Sequence, residues 1–351
     1  MKGKHVAVIG AGGNIGSHLI PHLARLPRLG GLLLVDRDVY EAGNLSGQDI
    51  TLADVGKPKA EVQARRARQI NPLLRVSVEA ADVEGVPRGR LRSDVILSCV
   101  DSRRARQATN EGAWRLGVPW IDAGVLGDQM LARVSGYWPG DESPCLECAW
   151  SEQDYAQLEQ EYPCNGGPRE ARPTGAPSSL GALAAALLAI ECAKVLEGDT
   201  SRTVFASQVT VDAAWHKLLV TSFRRNSACR FDHRTWRIER FPMELEEATV
   251  ADLLRLGASV RVEGHRFVRR LTCGNCGEQR EALELERAPR RVMRRCPKCG
   301  APSAAMGFDA SERLENTLAP EWAPLSLGRV GLKAGDIIQI GEKCYELPGT
   351  V

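Results

Sequence analysis

Eight residues of this chain have the types and spacing of metal ligands. Cys273-Gly-Asn-Cys276-Gly and Cys296-Pro-Lys-Cys299-Gly are two C-x-x-C knuckles, each followed by a glycine that suits a tight turn. Four thiolates in two such pairs match a tetrahedral zinc site. Cys145-Leu-Glu-Cys148 is a third C-x-x-C, and Cys229 and His233 form a further pair much later in the chain. Two separated pairs can close a second tetrahedron if folding brings them together. A redox role for Cys145 and Cys148 is the rival reading, but no thioredoxin-like pattern surrounds them. For His233 the plain alternative is a surface histidine.

Four of the eleven cysteines then remain. Cys99, Cys192 and Cys344 fall in a strand, a helix and a hairpin of apolar character, and each is most simply a small core residue. Cys164 differs. It follows Tyr162-Pro163 and opens a Gly/Pro-rich stretch that carries Arg169 and Arg172. A cationic, accessible setting lowers a thiol pKa and suits a nucleophile, so Cys164 is the candidate for covalent chemistry. A loop thiol without function is the alternative.

The second kind of chemistry is at the other end. Gly10, Gly12, Gly13, Asn14 and Gly16 form a glycine-rich turn between the apolar run His5 to Ile9 and a helical pattern. There a backbone can approach a phosphate and offer N–H groups at a helix N-terminus. Asp36 ends the next apolar run, where a carboxylate can grip a ribose hydroxyl. Gly16 falls one place late for G-x-G-x-x-G, so the turn predicts a nucleotide without choosing between NAD and ATP.

The elements that must position these groups alternate. Apolar strand-like runs at residues 5–10, 31–36, 75–80, 94–100 and 119–123 are separated by helical patterns at 14–26, 59–70 and 105–116. Pro21 is awkward in the first helix, because its missing N–H leaves the Ser17 carbonyl unpaired. This alternation predicts an α/β fold with a doubly wound, Rossmann-like parallel sheet. Residues 131–138 and 203–221 read as longer antiparallel strands extending that sheet around a helix at 180–196. A small C-terminal zinc-ribbon/β domain follows, with a helix at 250–256 and a last hairpin-like run at 336–347. The expected domains are 1–240 and 241–351.

Bulk properties narrow the function. With 46 Lys+Arg against 44 Asp+Glu, the net charge of +2 gives no electrostatic reason to expect nucleic acid or a membrane surface. Arginines do cluster locally, as at Arg290-Arg291 and Arg294-Arg295, and read as solvated edges. The run from Leu180 to Leu196 contains Glu191 and Lys194 and is rich in small residues, so it reads as a buried helix rather than a membrane span. A strand-like run near residue 5 predicts no leader, and abundant unpaired thiols predict a reducing, cytoplasmic setting.

Several polar stretches lie beside the expected carboxyl edge of the sheet: Val35-Asp36-Arg37-Asp38-Val39, Asn44-Leu45, Gly56-Lys57-Pro58-Lys59-Ala60 and Cys99-Val100-Asp101-Ser102. Lys59 could hold a phosphate there, and Asp101 could position Mg2+ or an attacking carboxylate. In their order and spacing these pieces resemble the ThiF/MoeB family of adenylating enzymes, to which ubiquitin-activating enzymes belong, over about residues 5–233.

The resemblance implies an ATP- and Mg2+-dependent enzyme that adenylates the C-terminal glycine of a ubiquitin-like protein. Asp36 and Asp38 would lie near the ribose and the metal-bound phosphates. Asn44, Gln48 and Lys59 would contact the triphosphate, and Asp101 would be the central catalytic aspartate. Cys164 would take the acyl group as a thioester for a conjugating-enzyme-like partner. Sulfur-carrier adenylation and a non-catalytic scaffold are the alternatives. Relatives are usually homodimers, and the 180–196 helix could serve that contact. The arginine that the family places before Gln48 is Gly47 here, with Lys57, Arg37, Arg103 or Arg104 as substitutes.

Overall fold

The computed structural model describes residues 3–161, 175–257, 259–287, 293–315 and 320–349. The chain divides into two compact units, one of residues 1–83 with 91–235, the other of 84–90 with 236–351.

The first unit is built on one large sheet. Its elements are β1 Lys4–Ile9, α1 Gly16–Leu23, β2 Leu29–Val35, α2 Lys59–Ile70, β3 Arg75–Glu79, β4 Val95–Ser98, α3 Arg103–Leu116, β5 Trp120–Leu126, β6 Leu131–Tyr137, α4 Glu152–Glu161, α5 Ser178–Glu197, β7 Ser207–Asp212 and β8 Lys217–Ser222. The strand order is β3-β2-β1-β4-β5-β6-β7-β8. The first five run parallel, and β6, β7 and β8 continue the sheet antiparallel. β1, β2 and β4 are continuous apolar runs because helices cover both faces of a parallel sheet. Val6, Val8, Leu32, Leu34, Val95 and Leu97 join α1, α2 and α5 in one core.

Local signals set several boundaries. Ser102 caps α3 by accepting the Ala105 N–H. Pro21 stays inside α1 without ending it at that residue; the helix runs on to Leu23. α5 is long and apolar enough to cross a bilayer by composition alone. Leu180, Ala184, Ala185, Leu188, Cys192 and Leu196 are nevertheless buried in the core. α4 has no counterpart among the sequence expectations.

The second unit contains β9 Ile238–Arg240, α6 Val250–Leu256, β10 Ser259–Val262, β11 His265–Cys273, β12 Gln279–Arg287, β13 Met293–Arg295, β14 Pro302–Ala304, β15 Ala310–Ser311, β16 Arg313–Glu315, α7 Leu327–Val330, β17 Ile337–Ile340 and β18 Lys343–Glu346. Two five-stranded sheets result: β16-β10-β17-β18-β9, and β12-β11-β14-β13 with β15 on β11. Phe241, Leu253, Val260, Phe267, Leu285 and Ile338 belong to its core. Residues 84–90 belong here because Gly89 donates to the Gly335 carbonyl.

Candidate functional site

The carboxyl ends of β1, β2 and β4 lie side by side, since Ile9 pairs with both Val35 and Ser98. The turn after β1 therefore meets the segments after β2 and β4. Gly10 adopts φ +77° there, and a Cβ would lie 2.8 Å from the Cys99 carbonyl oxygen, so a side chain is excluded twice over. At Gly12 a Cβ would lie 2.3 Å from Lys59 Cβ, which lets α2 approach the turn closely. Gly16 opens α1.

The turn uses its own first amides internally. Gly10 and Ala11 donate to the Val35 carbonyl, Gly12 to Asp36 Oδ2 at 2.8 Å, and Gly13 to the Gly10 carbonyl. Those four N–H groups therefore already have acceptors within the protein. The turn is a rigid floor, and side chains supply the polar groups around it.

Asp36 is the centre of that floor. Its other oxygen accepts the Asp38 N–H at 3.0 Å. Burial pushes its carboxyl above the usual range, opposed by these two amides and by Lys59. Lys59 heads α2, is itself buried, and places Nζ 3.6 Å from Asp38 Oδ2. Its backbone N–H also donates to the Asp38 carbonyl. A buried lysine beside a half-exposed carboxylate is a stationary cation at the rim, suited to an anionic ligand.

Tyr40 was missed in the sequence. Its hydroxyl donates to the Gly12 carbonyl at 3.0 Å and accepts from Gln63 Nε2 at 2.8 Å. Lys59 Nζ stands 5.5 Å from the ring centroid. Tyr40 thus props the turn from below. Only its place one residue beyond Val39 and its aromatic type could have drawn attention.

The remaining expected residues divide. Asn14 Nδ2 donates to the carbonyls of Gly47 at 2.6 Å and Ala176 at 3.2 Å, tying the turn to the segment before α5. Gly47, where an arginine was expected, has ordinary room: a Cβ would lie 3.4 Å from Ala176 O and Asn14 Nδ2. Asn44 accepts the Glu41 N–H at 2.9 Å and caps its own short helical turn. Gln48 is half-buried and donates its backbone N–H to the Asn44 carbonyl. Asp101 is exposed in the bend between β4 and α3. Arg37 is paired with Asp82 and Asp38, and Arg103 with Asp154. Lys57 is exposed. Cys164 lies outside the described residues.

The two sets of metal-ligand candidates each come together. Cys145, Cys148, Cys229 and His233 place all four ligand atoms within 4.8 Å of one another, as do Cys273, Cys276, Cys296 and Cys299. In the first, Cys145 Sγ and Cys229 Sγ are 3.8 Å apart, and Cys148 Sγ is 3.5 Å from His233 Nε2. In the second, Cys273–Cys299, Cys276–Cys296 and Cys276–Cys299 are separated by 3.5, 3.6 and 3.5 Å. Thiolates about 2.3 Å from a shared tetrahedral ion stand about 3.8 Å apart, whereas disulfide sulfurs stand about 2.05 Å apart. Both donor sets fit zinc. The Cys276 and Asn275 amides also hold the Cys273 thiol down to about 6.

The ThiF family model matches residues 1–231. The chain belongs to the ThiF family. It is 31% identical over 160 residues to the ubiquitin-like modifier-activating enzyme 5 of Aedes aegypti, covering 42% of this chain and 40% of that protein. It is 28% identical over 199 residues to the sulfur carrier protein ThiS adenylyltransferase of Escherichia coli (strain K12), covering 56% of this chain and 73% of that one. The solved structure of E. coli MccB with ATP aligns with a TM-score of 0.52 and 25% identity, over 65% of this chain and 66% of MccB. This ThiF-family chain thus spans two fifths of the length of the Aedes protein.

Proposed function

We propose that this chain is an ATP- and Mg2+-dependent adenylyltransferase that activates the C-terminal glycine of a ubiquitin-like protein. The observation that carries the reading is the buried Lys59 ammonium, 3.6 Å from Asp38, beside the turn that Asp36 locks at the carboxyl edge of the sheet. Open α/β sheets bind ligands at that edge. Membership of the ThiF family and the likeness to MccB bound to ATP support the nucleotide.

Lys59 would neutralise phosphate charge, and Asp36 would face the ribose while its carboxylate keeps the turn in place. Asp38 and Asp101 would hold Mg2+, which draws charge off the leaving pyrophosphate. The tail carboxylate oxygen attacks the α-phosphorus. The bond from that phosphorus to the β-phosphate oxygen breaks, releasing pyrophosphate and leaving an acyl-adenylate. Cys164 would then take the acyl group as a thioester, expelling AMP, for a conjugating-enzyme-like partner.

The two cysteine clusters would each carry structural zinc. α5, on which Ile190 is 53% exposed, would form a homodimer contact, and the free thiols suit the cytoplasm. A second reading is adenylation of a sulfur-carrier protein. The longer match to the ThiS adenylyltransferase favours it.

ATP–pyrophosphate exchange with a panel of glycine-ended carrier proteins tests the activity. Carrier-dependent exchange is expected, and Lys59→Ala or Asp101→Ala should reduce it on the order of a hundredfold or more. Exchange by none of the carriers, or nicotinamide in place of ATP, would refute the reading. A carrier adduct that hydroxylamine cleaves, that a phosphine reductant leaves intact and that is lost in Cys164→Ala separates thioester transfer from simple adenylation.

A further inference from the structure

We propose that Asp122, assisted by Arg133, is a positioning residue that sets the bend carrying Asp101; this rests on the role given to Asp101 above. Asp122 is a fully buried carboxylate on β5. Ser98 Oγ donates to its Oδ1 at 3.0 Å, and Arg106 Nε donates to the same oxygen at 3.1 Å. Arg133 Nη2 stands 3.0 Å from Oδ2. The other side of the Arg106 guanidinium faces the bend after β4. Nη2 donates to the Val100 carbonyl at 2.6 Å, and Nη1 to the Asp101 carbonyl at 3.4 Å. Arg106 is therefore a planar clamp, fixed by the Asp122 carboxylate and closed on two successive carbonyls.

The sheet makes the anchor stiff. Ile9, Ser98, Asp122, Ser135 and Gln208 are register partners in one row across β1, β4, β5, β6 and β7. Within it Arg133 donates to Ser135 Oγ, which donates to Gln208 Oε1. The polar row thus lies level with the last residue before Gly10. Burying a carboxylate against two partly buried guanidiniums is costly, and well-packed apolar residues usually hold a sheet as well. What apolar residues cannot do is fix the direction of two backbone carbonyls. The cluster also carries one more positive than negative charge, since two guanidiniums share one carboxylate.

The test is Asp122→Asn, which keeps the shape and removes the charge, with Arg133→Gln as a milder variant should the first fold poorly. Hydrogen–deuterium exchange of the free protein reads the clamp without any activity. Amides of residues 100–105 should exchange faster in both variants, while those of β1 and β2 stay protected. Steady-state pyrophosphate exchange reads the consequence. The Mg2+ concentration for half-maximal rate should rise on the order of tenfold in Asp122→Asn, and excess Mg2+ should restore the rate, which it cannot do for Asp101→Ala. Unchanged amide exchange at 100–105 overturns the proposal. So does a loss of rate at unchanged Mg2+ requirement, the mark of a merely structural role. If the wild type supports no exchange with any carrier, the activity reading falls, and amide exchange alone decides the clamp.

Discussion

The two cysteine clusters have nearly the same donor chemistry and opposite surroundings. Cys145, Cys148, Cys229 and His233 are set in aromatic and polar packing. His233 meets Trp114 edge-on at 5.4 Å, and Trp114 meets Phe231 at 6.0 Å. Arg115 stacks over Phe231 and pairs with Asp232. Asn110 Oδ1 accepts the Leu146 N–H, and Gln107 and Tyr155 both donate to Glu147. α3 thus packs around the site through Gln107, Asn110, Trp114 and Arg115. The tip holding Cys273, Cys276, Cys296 and Cys299 has no such support. Among its described residues 272–279 and 294–304 only Cys273, Cys296 and Ser303 are buried. One cluster closes a distant loop onto a ready core, and the other takes the place of a core.

Metal removal should therefore separate them. Cys296→Ser, or chelation, should unfold the tip, forfeiting metal-binding energy on the order of 10 kcal/mol. Amide exchange should show β13 and β14 unprotected while β1 to β5 stay protected. Equal loss in both regions would erase the contrast.

Next in size is Trp114→Ala. It removes a fully buried side chain under the first cluster and should cost about 3–5 kcal/mol in denaturant unfolding of the first unit. Metal content near two zinc per chain should survive. Loss of the first metal would mean that packing and ligation are one device.

A smaller effect is expected of His233→Cys. Zinc accepts the fourth thiolate, so metal content should be unchanged, while the lost ring contacts cost about 1 kcal/mol. Zinc falling to one per chain would show that the imidazole is required.

The smallest test concerns acid stability near the first cluster. The Ser151 N–H and hydroxyl and the Arg103 guanidinium hold the Asp154 carboxyl at about 2, below its ordinary 3.8. A depressed carboxylate stabilises fully above its unfolded value, and that stability is lost as pH falls through the folded one. The contribution should be constant above about pH 5 and vanish toward pH 2. Asp154→Asn should flatten that part of the stability profile, while the cysteine tip is unaffected.

Where the sequence was legible, the information was local. α2 begins at Lys59 and ends at Ile70, and α6 spans Val250–Leu256, as their periodicity indicated. The knuckle cysteines could be paired off by spacing. α4 escaped because its polar face carries little apolar period, and Tyr40 because nothing near it hints at Gly12. The acceptors of the Gly10, Ala11 and Gly12 amides lie at Val35 and Asp36 on the neighbouring strand, out of reach of a reading of the turn alone.

By itself, then, the sequence determined the alternation of strands and helices, the glycine turn, the order of polar groups along it and the paired knuckles of Cys273, Cys276, Cys296 and Cys299. Burial period and short-range spacing are properties of a few consecutive residues, so they can be read without a fold. Only the tertiary structure decided which amides remain to meet a ligand, that Cys145 and Cys148 meet Cys229 and His233, and that Asp122, Arg106 and Arg133 share one charge cluster. Those depend on strand register and on which side chains face one another across the sheet. Residues far apart in the chain become partners only when the cost of closing the loop between them is offset by everything packed around them.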